Sequence, residues 1–120
     1  MKKASRIIPK RASKYGNHRV NVDGETFDSE KEYARYRELQ LLQKAGFISE
    51  LERQKKFELQ PAFYHQRRRI QAIFYVCDFF YRQEDKYIIE DVKSPGTQNN
   101  AVYKLKKKMM LYRGYEIKET

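Results

Sequence analysis

Cysteine is nearly absent from this chain: Cys77 is the single one in 120 residues. One thiol builds neither an internal disulfide framework nor a cysteine zinc cluster, and such scarcity fits a reducing, intracellular compartment. Histidine is scarce as well. His18 and His65 stand apart from each other and from Cys77, which disfavours a histidine-metal nuclease; both read as surface or structural residues. No apolar run approaches the ~20 residues that a membrane helix requires, so no membrane partner is expected. The opening stretch MKKASRIIPKRASK is charged as a signal peptide is, but no apolar segment follows it. No G-x-x-x-x-G-K-[ST] run occurs, so ATP hydrolysis is not indicated. There is no internal repeat or linker, and 120 residues leave no room for a separate cofactor domain.

Acids are missing from residues 1 to 22, which carry Lys2, Lys3, Arg6, Lys10, Arg11, Lys14 and Arg19. Over the whole chain 26 Lys and Arg face 16 Asp and Glu, a formal balance of +10. Further basic clusters are Arg67-Arg68-Arg69 and Lys104 with Lys106-Lys107-Lys108. Three separate clusters point to a polyanionic partner, nucleic acid first, against the blander reading of a basic solvated surface. Charge alone does not separate a DNA-binding module from a DNA-cutting enzyme.

Residues 1 to 14 lack periodicity and read as a flexible basic arm; residues 15 to 120 read as one domain. His18 to Val22, the turn Asp23-Gly24 and Glu25 to Phe27 predict a β-hairpin. Ser29 with Glu32 three residues on predicts a capped helix start. Tyr33, Ala34, Tyr36, Leu39, Leu41, Leu42 and Ala45 give that helix a wide apolar face, and Gly46 stops it. Strands are expected at 53 to 59, at 69 to 82 and at 86 to 93, the last broken by Ser94-Pro95-Gly96. A second helix is expected over 100 to 113 with Val102, Leu105, Met109 and Tyr112 on its stripe, then a short strand from Tyr115 to Lys118. Tyr33, Tyr36, Tyr75 and Tyr87 read as core, and Cys77 as a buried thiol. Apart from the hairpin, the order is α-β-β-β-α-β, an α/β arrangement around one mixed sheet flanked by helices.

The carboxylates carry the chemistry. A symmetric hairpin about Glu84-Asp85 sets Asp78 opposite Asp91 and Val76 opposite Lys93. Opposed residues share a face with Cβ atoms ~5 Å apart, and the strand period puts Asp91 and Lys93 ~6.7 Å apart on that face. Glu90 and Val92 point the other way. Two opposed acids repel; a divalent cation between them removes the objection, and oxygen ligands suit Mg²⁺ or Mn²⁺. Lys93 can hold a phosphate or orient a water. Two surface acids beside a lysine at a sheet edge is the competing reading.

Asp78, a gap of 12 residues and then Asp91-Val92-Lys93 resembles the signature of the PD-(D/E)XK nucleases. Over roughly residues 15 to 115, the string DGETFDSEKEYARYRELQLLQKAGFISELERQKKFEL, the Asp-bearing strand, EDVKSPGT and the YKLKKK helix resemble a phage-encoded family of that superfamily. That family was long filed as a domain of unknown function. The chain is also similar to TnsA-type and resolvase-like nucleases. The resemblance implies a restriction-endonuclease-like core and Mg²⁺- or Mn²⁺-dependent hydrolysis of DNA in a phage's bacterial host cytoplasm. Asp78, Asp91, Lys93 and Glu32 then take active-site positions, with Asp78, Asp91 and Glu32 as metal ligands. Glu32 could equally be only the partner of Ser29 in a capping box. Gln54 matches a polar auxiliary position, or is an exposed strand residue. Lys104, Lys106, Lys107, Arg67, Arg68, Lys10, Arg11 and Lys14 are the candidate DNA contacts, and a homodimer would suit two-strand cutting. The sequence has Val76-Cys77 before Asp78 where the literal signature has proline. The alternative is a non-catalytic basic module for DNA binding or assembly in phage replication or recombination.

Overall fold

The computed structural model describes residues 19–94 and 100–120. The expected arm, with Lys10, Arg11 and Lys14, lies outside the described residues, as do His18 and positions 95–99 of the loop after Lys93. The rest is α/β, mostly strand, with a mixed sheet and, among the described residues, two helices.

Strands β1 (Val20–Val22) and β2 (Glu25–Phe27) form the expected hairpin, and its Asp23-Gly24 turn is left-handed at both residues. Phe27 is buried and the chain then enters α1 (Glu30–Lys44). The Ser29 hydroxyl accepts the Glu32 N–H at 3.1 Å. The return half of a capping box is displaced: the Glu32 carboxylate takes the N–H of Asp28 at 3.0 Å. The helix gives way to Gly46 at φ 89, a conformation that glycine adopts without a Cβ clash. Its buried face is narrower than the sequence suggests. Leu39 is fully buried, with Tyr36 and Leu42, against Ile48, Phe79 and Tyr81, while Leu41 is exposed. Buried Glu32 occupies the start of this face.

The main sheet runs β10-β9-β8-β3. Strands β3 (Ser49–Arg53), β8 (Phe79–Gln83) and β9 (Lys86–Asp91) are antiparallel, and β10 (Ile117–Glu119) lies parallel to β9. The β8–β9 register runs from Gln83↔Lys86 to Phe79↔Glu90, as the symmetric turn at Glu84-Asp85 predicts.

Elsewhere the strands are shorter than expected. The run 69 to 82 divides into β6 (Arg68–Ile70), β7 (Ile73–Val76) and β8, and the strand at 53 to 59 divides into β3 and β4 (Lys56–Gln60). Strand propensity marks extended chain but not where a strand changes partner. Here β4 pairs with β7, and β5 (Phe63–His65), which the sequence pattern does not reveal, pairs with β6. Gln54, at φ 58, makes the break; across it Gln54 N–H donates to the Asp78 carbonyl and Cys77 N–H to that of Lys55, both at 3.1 Å.

Helix α2 (Ala101–Tyr112) starts at Asn100, whose side chain accepts the Tyr103 N–H at 3.0 Å. Of the expected stripe, Met109 packs against the core as expected and the rest is corrected. Val102, Leu105 and Tyr112 are exposed; Tyr103 and Met110, two turns apart, face the core. They join Leu59, Tyr75, Cys77, Ile89 and Ile117. Tyr103 packs its ring against the core while its hydroxyl donates to Glu119 on β10, a polar contact that hydrophobic periodicity ignores. Tyr87 is also corrected: it is exposed and stacks on Phe80. Burial pushes the Cys77 thiol up to about 12, which leaves it a packing residue. No helix among the described residues is long and apolar enough to cross a membrane.

Candidate active site

Where β8 and β9 part, ladder pairing stops at Phe79↔Glu90 and side chains take over. Asp78 N–H donates to Asp91 Oδ1 at 3.0 Å, and Val92 N–H donates to Asp78 Oδ2 at 2.8 Å. Each aspartate therefore closes a backbone gap on the opposite strand. This brings the two carboxylates together as the register predicts. The further pair expected there, Val76 with Lys93, does not form: Val76 pairs with Lys56, and Lys93 N–H donates to the Thr120 carbonyl at 2.8 Å.

Asp91 is also held by the buried Tyr75 hydroxyl, which donates to Oδ2. Lys93 Nζ lies 3.5 Å from the same oxygen and 3.4 Å from the centroid of the Tyr103 ring, a close cation–π contact. Lys31 Nζ donates to the Lys93 carbonyl at 2.7 Å. Tyr75, Asp78, Asp91, Lys93 and Tyr103 line a cavity of about 360 Å³, completed by Asp28 ahead of α1, by Asn100 at the cap of α2 and by Val102 and Lys106 on it.

The electrostatics are those of crowded acids. Burial, then the charges of Asp91 and Glu32, push the Asp78 carboxyl up to about 8. Burial raises Glu32 as well, and burial followed by the neighbouring Asp91 raises the Tyr75 hydroxyl, which stays protonated as a donor. On the opposite face Glu90 is fully buried in a different setting. Burial alone would raise it, but Arg35 at 2.5 and 3.1 Å, with the Tyr81 hydroxyl, holds it below the ordinary glutamate range.

Asp78, Asp91 and Lys93 are thus together. Glu32 is near enough for its charge to act on Asp78, yet it is not part of the cavity lining. Its Oε1 serves Asp28, and its buried Oε2 has no hydrogen bond and lies 3.5 Å from Arg53 Nη2. Gln54 touches Asp78 through its backbone while its side chain is exposed. Lys106 lines the cavity, Lys104 is exposed, and Lys107 is tied to Glu119 at 2.9 Å. Arg67 and Arg68 sit on the separate β5–β6 hairpin.

Sequence reasoning does not single out Tyr75 and Tyr103 as site residues. Strict alternation points Tyr75 away from Asp78, and only the break between β7 and β8 lets it reach Asp91. No periodicity signal marks that break.

As a binding set the residues suit a hard cation. Val92 N–H uses Asp78 Oδ2 and Asp78 N–H uses Asp91 Oδ1, and both carboxylates keep lone pairs beyond these. Mg²⁺ typically takes one or two carboxylates and keeps several waters, which two aspartates satisfy. Among the described residues no three His, Cys, Asp or Glu side chains form a ready-made metal cluster.

The chain belongs to the family described as "Protein of unknown function (DUF1064)", which matches residues 12–120. No curated protein and no solved structure matches it.

Proposed function

We propose that the protein is a metal-dependent DNA endonuclease that hydrolyses phosphodiester bonds in phage or prophage DNA processing or recombination. One observation carries the reading: half-buried Asp78 and buried Asp91 lie side by side with buried Lys93 against Asp91, an arrangement that costs stability unless a cation is shared. The PD-(D/E)XK-like spacing of Asp78, Asp91 and Lys93 supports it. If β3 with β4, and β7 with β8, are each read as one bent strand and the β5–β6 hairpin is set aside as an insertion, the order is compatible with the α-β-β-β-α-β of a restriction-endonuclease-like core.

A bound Mg²⁺ or Mn²⁺ supplies a Lewis acid and lowers the pKa of a coordinated water. Asp78 and Asp91 would hold it, and Glu32, outside the cavity lining, would join directly or through water. Tyr75 keeps Asp91 oriented. Lys93 positions the attacking water and stabilises the charge of the pentacovalent phosphorus. Lys104, Lys106 and Lys107, with Lys10, Arg11 and Lys14 of the arm, attract the phosphate backbone. The proposal extends to a homodimer acting in the bacterial host cytoplasm.

The basic clusters by themselves also fit a second reading, a non-catalytic basic DNA-binding or assembly module. Supercoiled plasmid incubated with Mn²⁺ or Mg²⁺ separates the two. The nuclease converts it to nicked or linear forms, and Asp78→Asn, Asp91→Asn and Lys93→Ala each lower the rate at least ~100-fold while DNA still binds. A binding module retards DNA in a gel and leaves it intact in either metal.

A further inference from the structure

The β5–β6 hairpin stands outside both hydrophobic clusters: all six strand residues, Phe63–His65 and Arg68–Ile70, are exposed. A two-stranded ribbon gains little stability without a buried face. This one also has an unfavourable tip. Gln66 and Arg67 occupy the two central turn positions at φ 50 and 68, where a mirror-image turn prefers Asn-Gly. Non-glycine side chains there are strained. The ribbon is therefore not built for packing or for an easy turn. What it presents is charge. Arg67, Arg68 and Arg69 follow one another, Tyr64 is 72% exposed and pairs with Arg69, and no acid occurs between Glu58 and Asp78.

The ribbon continues the chain from the β4–β7 ladder, whose Tyr75 holds Asp91. Its tip is eight residues from Tyr75, at most about 26 Å of extended strand, less than one ~34 Å turn of B-form DNA. A two-stranded ribbon fits the ~12 Å major groove, and arginines suit both phosphates and guanine edges.

We propose that the β5–β6 ribbon is a duplex-reading element: it enters the major groove with Gln66 and Arg67 at its tip while Arg68 and Arg69 contact the flanking phosphates. The inference rests on the proposed function for its partner, DNA, and adds that the partner is double-stranded and held by its groove.

The test is binding of the full chain to a labelled 30-base-pair duplex and to its single strand, in EDTA so that no cleavage enters. Arg67→Ala/Arg68→Ala/Arg69→Ala lowers duplex affinity by about tenfold or more and reduces the log–log salt slope by about 0.9 for each phosphate left unneutralised. Single-strand affinity falls less. A second variant, Gln66→Asn/Arg67→Gly, gives the turn its preferred residues; its melting temperature is equal to or above the parent's, yet duplex affinity falls. The proposal is overturned if either folded variant binds duplex like the parent, if both DNA forms weaken equally, or if parent binding to anionic phospholipid vesicles, not to duplex, is what the variants lose. A chain that binds duplex through the ribbon but cuts nothing in Mn²⁺ retains this inference and loses the nuclease; one that cuts with the ribbon arginines removed does the reverse.

Discussion

Half-buried Asp78 and fully buried Glu90 lie near the same strand end, and their surroundings push the two carboxyls in opposite directions. Asp78 faces acids and rises to about 8, so between about pH 4 and pH 8 the folded chain keeps a proton that the unfolded chain has released. Stability contributed by this group is present below the unfolded pKa and falls as pH rises through that window. Melting temperatures in a chelating buffer from pH 5 to pH 8 check this. The parent's decline is expected to be shallower in Asp78→Asn, which keeps an acceptor for the Val92 N–H and is more stable at pH 8 by roughly 0.2–1 kcal/mol. Mg²⁺ raises the parent's melting temperature more than the variant's, because the ion binds the folded state. A parent curve parallel to that of Asp78→Asn, with no response to Mg²⁺, marks the acids as structural.

At the scale of elements, the join between α1 and the sheet depends on Arg35 reaching Glu90 with two donors, backed by Tyr81 and Thr120. Glu90→Gln removes the buried countercharge of the partly buried guanidinium and leaves it only exposed Glu38, so a loss of about 3 kcal/mol is expected in denaturant unfolding. Because Glu90 is depressed, its contribution is present above the unfolded glutamate pKa and is lost as pH falls through the lower folded value. The variant therefore loses less on acidification than the parent. Glu90 points to the face away from the cavity, so metal-dependent cleavage per folded molecule stays near the parent's while that of Asp91→Asn, one residue on, disappears. Equal loss of cleavage in the two variants would merge the two faces into one site and refute this division.

The molecule as a whole is a basic body whose charge is spread over separate segments. Residues 1–14 carry Lys2, Lys3, Arg6, Lys10, Arg11 and Lys14, and α2 carries Lys104, Lys106, Lys107 and Lys108. Removing residues 1–14 is expected to weaken binding to all DNA sequences alike and to flatten the salt dependence, by about 0.9 in slope for each phosphate that the arm neutralises. Fluorescence anisotropy on two unrelated duplexes over a salt series measures both effects. An unchanged slope makes the arm a spectator. Lys107 contributes less than its position in the lysine run suggests, since Glu119 already neutralises it.

Much of the fold was legible along the chain. Local rules placed the β1–β2 turn, the Ser29 cap, both helices and the register about Glu84-Asp85, because each depends on residues a few positions apart. From that register the meeting of Asp78 and Asp91 follows, and Glu90 goes to the other face by alternation alone. Tertiary structure decided the rest. Tyr75 reaches Asp91 only because the chain breaks between β7 and β8, and α2 packs Tyr103 with Met110 against the core while the tyrosine hydroxyl meets Glu119. The same partner exchange frees β5 and β6 as an exposed ribbon. Periodicity reports which residues share a face of one element; it holds no information about which partner that element meets, and at this site the partners choose the tyrosines.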